Sequence, residues 1–211
     1  MAADIDTHVA TVEAWLAARL VAGDVGPAHD AGVARAVRAL AATGPEAQPA
    51  VPLLVRVAHA DPRGLGELAG HALGDIGGAL AVRELNRAWF AGWDRKLCDA
   101  YYGALVRLDE RAHPELLAMA VQSDVHARVQ ALFSLRATGY PEPALARLAG
   151  AMIDDVPPAL TDPLIEFFGG FADADAVATA VDSLRTIARD DLRFADTRRR
   201  AADAVTRLQG R

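Results

Sequence analysis

The 211-residue sequence predicts an all-α chain, built as a solenoid of about six antiparallel helix pairs. Three observations predict it. Apolar residues recur at three- and four-residue spacing along nearly the whole chain, punctuated by glycine and proline. Alanine and leucine dominate while β-branched and aromatic runs are short, which favours helix over strand. Most informative, the stretch Glu67-Leu-Ala-Gly-His-Ala-Leu-Gly-Asp-Ile-Gly-Gly78 returns in altered form at a near-constant interval. One helix pair cannot bury its apolar face alone, so a repeat of this kind implies pairs stacked on one shared core.

The elements follow in order. Val9, Val12, Leu16 and Leu20, with Trp15 beside them, predict a helix from Asp6 to Val21, ended by Gly23, Gly26 and Pro27. Val33, Val37 and Leu40 predict a second from Pro27 to Ala42, stopped at Gly44. Pro45 to Pro49 reads as a linker. Leu53, Leu54 and Val57 give a helix from Pro49 or Pro52 to His59, with proline in the first turn, where its missing N–H loses no bond. Asp61-Pro62 turns the chain into a helix from Arg63 to Ile76. The next runs from Ala79 to Ala91 and carries Trp89 and Phe90. Asp94 is placed to cap a helix through Leu97, Tyr101, Leu105 and Leu108.

His113-Pro114 opens a helix to Val121, and Ser123 or Asp124 caps another through Val125, Val129, Leu132 and Leu135, which ends at Gly139. Pro141 to Asp154 is predicted as one helix. Pro163 is unsuited to a helix interior, so the following helix is predicted to start at Thr161 or Asp162 and run to Phe168. Asp173 or Asp175 caps a helix through Val177, Val181, Leu184 and Ile187, and the last helix spans Phe194 to Leu208. The pairs are then 6–44, 45–78, 79–110, 111–139, 140–171 and 172–211, within a single domain.

The repeat is anchored on Leu40, Leu73, Leu105, Leu135, Ile165 and Val205, spaced 33, 32, 30, 30 and 40 residues apart. A small residue precedes the anchor in five cases (Ala39, Ala72, Ala104, Ser134, Ala204), with Leu164 the exception. Three residues further back stand Ala36, Ala69, Ala131, Thr161 and Ala201, with Tyr101 the one bulky member. Small side chains at these positions let neighbouring second helices approach closely. A glycine four residues after the anchor supplies the left-handed turn that closes a helix, and Asp109 stands where glycine is expected. The phrases Glu67-LAGHALGDIG-Gly78 and Arg128-VQALFSLRATG-Tyr140 resemble HEAT repeats, particularly the short HEAT-like repeats of the phycobilisome-lyase type. Asp61 and Asp124 resemble that family's inter-helix aspartate. The resemblance covers roughly residues 27 to 171. It implies a right-handed α-solenoid and is unspecific for function.

Composition narrows the function. Net charge is −6, with 28 acidic against 22 basic residues, which disfavours nucleic acid as the main ligand. No N-terminal charged-then-apolar signal and no apolar run of about 18 residues occurs, so a soluble cytoplasmic protein is expected, with no membrane partner. The single cysteine, Cys98, excludes an intrachain disulfide and reads as a small buried helix residue. The alanine-, arginine- and aspartate-rich composition suggests a bacterial source. The six histidines show no i, i+4 pairing of metal-site type, and no glycine-rich phosphate loop or nucleophile elbow occurs, so no metal or cofactor is implied.

In solenoids of this kind the second helices line the concave face. The positions between their apolar residues are Arg35 and Arg38, Glu67 and His71, Asp99, Tyr102 and Arg107, Gln130 and Phe133, Asp162 and Glu166, and Arg199 and Asp203. Tyr102 and Phe133 read as an aromatic patch, and Glu67 stands one turn before His71, where it favours the imidazolium. Trp89-Phe90-Ala-Gly-Trp93-Asp94 is the densest aromatic cluster and reads as a core plug or a binding edge. Arg198-Arg-Arg200, with Arg193 and Arg207 nearby, reads as the polar outer face of a capping repeat or as a contact for nucleic acid or an acidic partner. Asp154-Asp155 and Asp190-Asp191 read as caps or solvated loop charge.

The expected function is a scaffold or adaptor whose groove residues Arg38, Glu67, His71, Asp99, Tyr102, Gln130, Phe133, Asp162 and Glu166 hold a protein or peptide. The alternative is a small-molecule-binding protein or enzyme using Glu67, His71, Asp99, Tyr102 and Glu166 in acid–base chemistry; the resemblance extends to bilin lyases and alkylpurine DNA glycosylases. A third reading is a partner protein whose acidic face neutralises a basic target.

Overall fold

The computed structural model describes residues 2–22, 27–61, 64–91, 95–122 and 124–210. Every regular element among them is helical. The α-helices are α1 (Ala2–Ala22), α2 (Pro27–Thr43), α3 (Val51–Ala60), α4 (Leu65–Ile76), α5 (Gly78–Ala91), α6 (Arg95–Leu108), α7 (His113–Gln122), α8 (Val125–Ala137), α9 (Glu142–Gly150), α10 (Pro158–Gly169), α11 (Ala174–Arg189) and α12 (Ala195–Gln209). Short 3-10 turns cover Gly44–Ala50, Asp109–Ala112 and Ile153–Asp155. The chain divides into two compact units, Met1–Glu115 and Leu116–Arg211.

In the first unit α2, α4 and α6 pack in one row and α1, α3 and α5 in another, with α1 on α2, α3 on α4 and α5 on α6. Trp15, Leu40, Leu54, Leu73, Leu85 and Leu105 are fully buried between the rows; each buried leucine contributes ~1.5–3 kcal/mol. The repeat explains the closeness of the second helices, but through more residues than the alanines. A Cβ on Gly74 would stand 2.9 Å from that of Ala104, and one on Gly70 3.3 Å from that of Ala100. The backbones of α4 and α6 therefore touch along a glycine–alanine seam.

In the second unit α8, α10 and α12 form one row, and α9 packs on α11. Its core is aromatic. Phe167, Phe168 and Phe171 are fully buried, and the rings of Phe133 and Phe171 meet Phe167 edge-on at 5.1 and 5.3 Å. The Arg136 guanidinium lies 3.9 Å from the Phe167 ring centroid and 4.4 Å from that of Phe171, and donates to the Phe167 carbonyl at 2.7 Å.

Helix ends follow the sequence logic closely. Asp124 accepts from the His126 and Ala127 N–H groups, and Asp173 from those of Asp175 and Ala176, so both are side-chain N-caps. Asp61 accepts from Leu65 N–H at 2.9 Å and meets Arg19 of α1 at 3.4 Å. Gly44, Gly77 and Gly139 take φ of 66°, 65° and 76°. Asp109, at the equivalent place, takes φ 49° and is the only non-glycine among the described residues with positive φ.

Three expectations are corrected. Pro45 to Pro49 is a 3-10 turn leading into α3, not a linker. The helix predicted from Pro141 to Asp154 ends at Gly150. Most clearly, α10 begins at Pro158 and carries Pro163 inside it. Pro158 is accommodated at the first helical position, and the carbonyl that Pro163 leaves without an N–H partner belongs to exposed Ala159, where water can satisfy it.

The link ahead of α10 is pinned from the far side by Arg193. Its guanidinium donates to the carbonyls of Ile153 (2.6 Å) and Val156 (3.2 Å), to Thr161 Oγ1 (2.6 Å) and to Asp190 Oδ2 (2.8 Å).

Candidate binding clefts between the second helices

Of the predicted positions on the second helices of the first unit, Arg38, Glu67, His71 and Arg107 come together. Arg38 of α2 and His71 of α4 line one surface cleft of about 320 Å³ with Leu68, Ala72 and Asp75. From α6, Arg107 donates to His71 Nδ1 at 2.6 Å. A guanidinium only donates, so Nδ1 is the unprotonated nitrogen and the N–H sits on Nε2, which faces Glu67 Oε1 at 3.7 Å. His71 is thus held from the α6 side by Arg107, with Glu67 at longer range on its own helix. Arg35, Arg38, Glu67, Asp99 and Tyr102 all reach solvent.

The second unit has a counterpart. Asp162, Ile165 and Glu166 of α10 face Arg200, Asp203 and Arg207 of α12 across a cleft of about 220 Å³. Arg200 is hydrogen-bonded to Asp162. On the C-terminal helix of each cleft, lining residues fall five and two places before the repeat anchor and two after it. These are Leu68, His71 and Asp75 around Leu73, and Arg200, Asp203 and Arg207 around Val205. The two clefts share these positions on α4 and α12, whereas the facing residues differ in register: Arg38, Ala41 and Ala42 of α2 stand at −2, +1 and +2 from Leu40, and Asp162, Ile165 and Glu166 of α10 at −3, 0 and +1 from Ile165.

Other predicted site residues have mainly packing or local roles. Phe133 is half-buried and its ring serves the Phe167 cluster, while Gln130 is half-buried on α8. Arg199 meets Asp196 at 3.0 Å. The basic run that ends at Arg200 is neutralised residue by residue, since Arg198 pairs with Asp191, Arg199 with Asp196 and Arg200 with Asp162. Arg193 is a structural clamp. Asp155 meets Arg128 at 3.3 Å, in keeping with loop charge. Cys98 is half-buried. Trp15 packs as expected and donates its indole N–H to Asp30 at 2.9 Å. Trp93, Asp94 and the side chains of Trp89 and Phe90 lie outside the described residues.

Sequence reasoning did not single out Asp75, and it took Arg200 and Arg207 as part of a basic run rather than of a cleft. The signal was present: each holds the same register as a residue already singled out in another repeat. It also missed the Tyr101 hydroxyl, which is buried with no hydrogen-bond partner among the described residues. Burial, helped by Cys98 and Glu84, raises the Tyr101 pKa above that of an ordinary phenol.

Among the described residues no three His, Cys, Asp or Glu side chains converge as a metal site, and no helix is long and apolar enough to cross a membrane. Compared with known proteins, the chain matches no family model and no curated protein.

Proposed function

We propose that the chain is a HEAT-like α-solenoid that acts as a scaffold, binding a protein or peptide segment on the second helices of its units. The observation that carries this reading is the register shared by α4 and α12, which line their clefts from positions −5, −2 and +2 around the repeat anchor. One repeat position, varied in side chain from pair to pair, is how a stacked array presents a graded sequence of contacts to an extended ligand. Arg38 and Asp75 offer a cation and a carboxylate in one cleft, and Asp162, Glu166, Asp203 and Arg207 offer a more acidic set in the other. Such surfaces hold a peptide by many moderate contacts rather than by one deep pocket.

The test begins with recovery of the partner on the immobilised full-length chain and its identification. Charge reversals Arg38→Glu, Asp75→Lys and Arg207→Glu are each expected to weaken its binding by about 3- to 30-fold without unfolding the chain. Unchanged affinity in all three variants contradicts the proposal. Retention of a small molecule instead, with turnover abolished by Glu67→Gln, favours the alternative of acid–base chemistry on the same helices.

A further inference from the structure

Arginines that make side-chain contacts among the described residues mostly meet carboxylates or backbone carbonyls, whereas Arg107 of α6 meets an imidazole. Its guanidinium donates to His71 Nδ1 of α4 at 2.6 Å, and no carboxylate meets it among the described residues. A guanidinium has donors and no acceptor, so this contact exists only while Nδ1 carries no proton. Imidazole is the side chain that ordinarily changes its charge between about pH 5 and 8.

A second set of partners stands on α4 itself. Glu67 and Asp75 lie four residues before and four after His71, so both carboxylates share its face of the helix. Glu67 Oε1 is 3.7 Å from His71 Nε2. Asp75 lines the same cleft as His71 and meets no cation among the described residues. The neighbouring second helices supply the opposite sign. Arg38 of α2 lines that cleft and Arg107 reaches the ring from α6, and both oppose a proton on it. α3, α5 and the turn Gly44–Ala50 also pack on α4, and none of them bonds to His71 among the described residues. Arg83 and Glu84 of α5 are engaged with Glu115 and Arg87.

We propose that His71 is a proton-operated switch in the cleft between α2 and α4. In the neutral state Nδ1 accepts from Arg107 and ties the ring to α6. When Nδ1 takes up a proton, donor faces donor and two cations adjoin, so the Arg107 contact breaks. The imidazolium then turns Nδ1–H toward Asp75 and keeps Nε2–H toward Glu67, with a carboxylate one turn away on either side. The two helices stay packed, because the glycine–alanine seam holds their backbones together without either side chain. The cleft is what changes: Asp75 is neutralised from its own helix, and Arg107 is released to solvent. As pH falls, Asp75 is thereby withdrawn from a partner's cation. That consequence rests on the scaffold reading, and the switch itself does not.

NMR of the full-length chain, with no partner present, tests it. The His71 ring, the Arg107 Nε–H and the Asp75 carboxyl carbon are followed from about pH 8.5 to 5, the span in which imidazole ordinarily titrates. All three resonances are expected to show a step at one midpoint. The heteronuclear NOE of the Arg107 Nε–H is expected to fall through the same step, as a tied guanidinium becomes free on the picosecond-to-nanosecond scale. In His71→Gln, whose side-chain carbonyl accepts from Arg107 at every pH, the Arg107 resonance and its NOE are expected to stay constant. An Arg107 resonance that does not move while His71 titrates overturns the switch. So does an Arg107 step that survives in His71→Gln, a ring that stays uncharged over the whole span, or an Asp75 carbon that shows no step with the ring. None of these results touches the scaffold reading, since recovery of a partner on the second helices does not depend on this contact.

Discussion

At the scale of single residues, the place four after the anchor is left-handed in the first four repeats, whereas Gly169 and Gln209 in the last two remain helical. Asp109 holds a left-handed turn that Gly44, Gly77 and Gly139 hold elsewhere. Asp109→Gly is therefore expected to raise stability by ~0.5–1 kcal/mol, whereas Gly77→Ala, at φ 65° and ψ −157°, is expected to cost ~1–3 kcal/mol. Denaturant midpoints of the two variants against wild type check both signs. Tyr101 is the other irregular member of the register, a bulky ring where the other repeats have alanine or threonine. Because its folded pKa is raised, the neutral phenol is fully present in both states below the ordinary value of about 10, and stability falls as pH climbs above it. Tyr101→Phe is expected to remove that alkaline loss. Its effect at neutral pH should be small, within ~1 kcal/mol, since the hydroxyl has no partner to lose among the described residues. Melting temperature measured from pH 7 to 11 distinguishes this from a hydroxyl that contributes a bond.

At the scale of elements, helix starts and stops were legible because capping chemistry is local. Asp124 and Asp173 cap the helices they were expected to cap, and glycine turns close α4 and α8. What was not legible depended on long-range partners. Pro163 argued against a helix starting before Thr161, yet Pro158 starts α10 and Arg193, more than thirty residues away in sequence, ties down the link before it. No local pattern reveals that an arginine near a basic run is turned inward while Arg198, Arg199 and Arg200 meet carboxylates. Arg193→Met removes donors from two backbone carbonyls and Thr161, and is expected to destabilise by ~2–4 kcal/mol. Arg198→Met loses only a surface pair and is expected to cost under ~1 kcal/mol. Equal unfolding midpoints for the two variants would show that Arg193 is not the clamp described.

At the scale of the whole molecule, the all-α class followed from spacing and composition, and the register of the second helices led to Arg38, His71, Asp162, Glu166 and Asp203. The pairing of His71 with Arg107 and the neutralisation of Arg200 by Asp162 could not be read from the chain, because both join helices more than thirty residues apart. The scaffold reading rests on one claim: second helices in both units present a common register of contacts to one partner. Site-specific photo-crosslinking tests it most directly. A benzophenone side chain would be placed in turn at Arg38, Asp75 and Asp203 on the second helices, and at Arg56, Arg83 and Asp182 on the first. The same partner protein is expected to crosslink from all three second-helix positions and from none of the others. Equal crosslinking from the first-helix positions, or none from Arg38, Asp75 and Asp203, would contradict it.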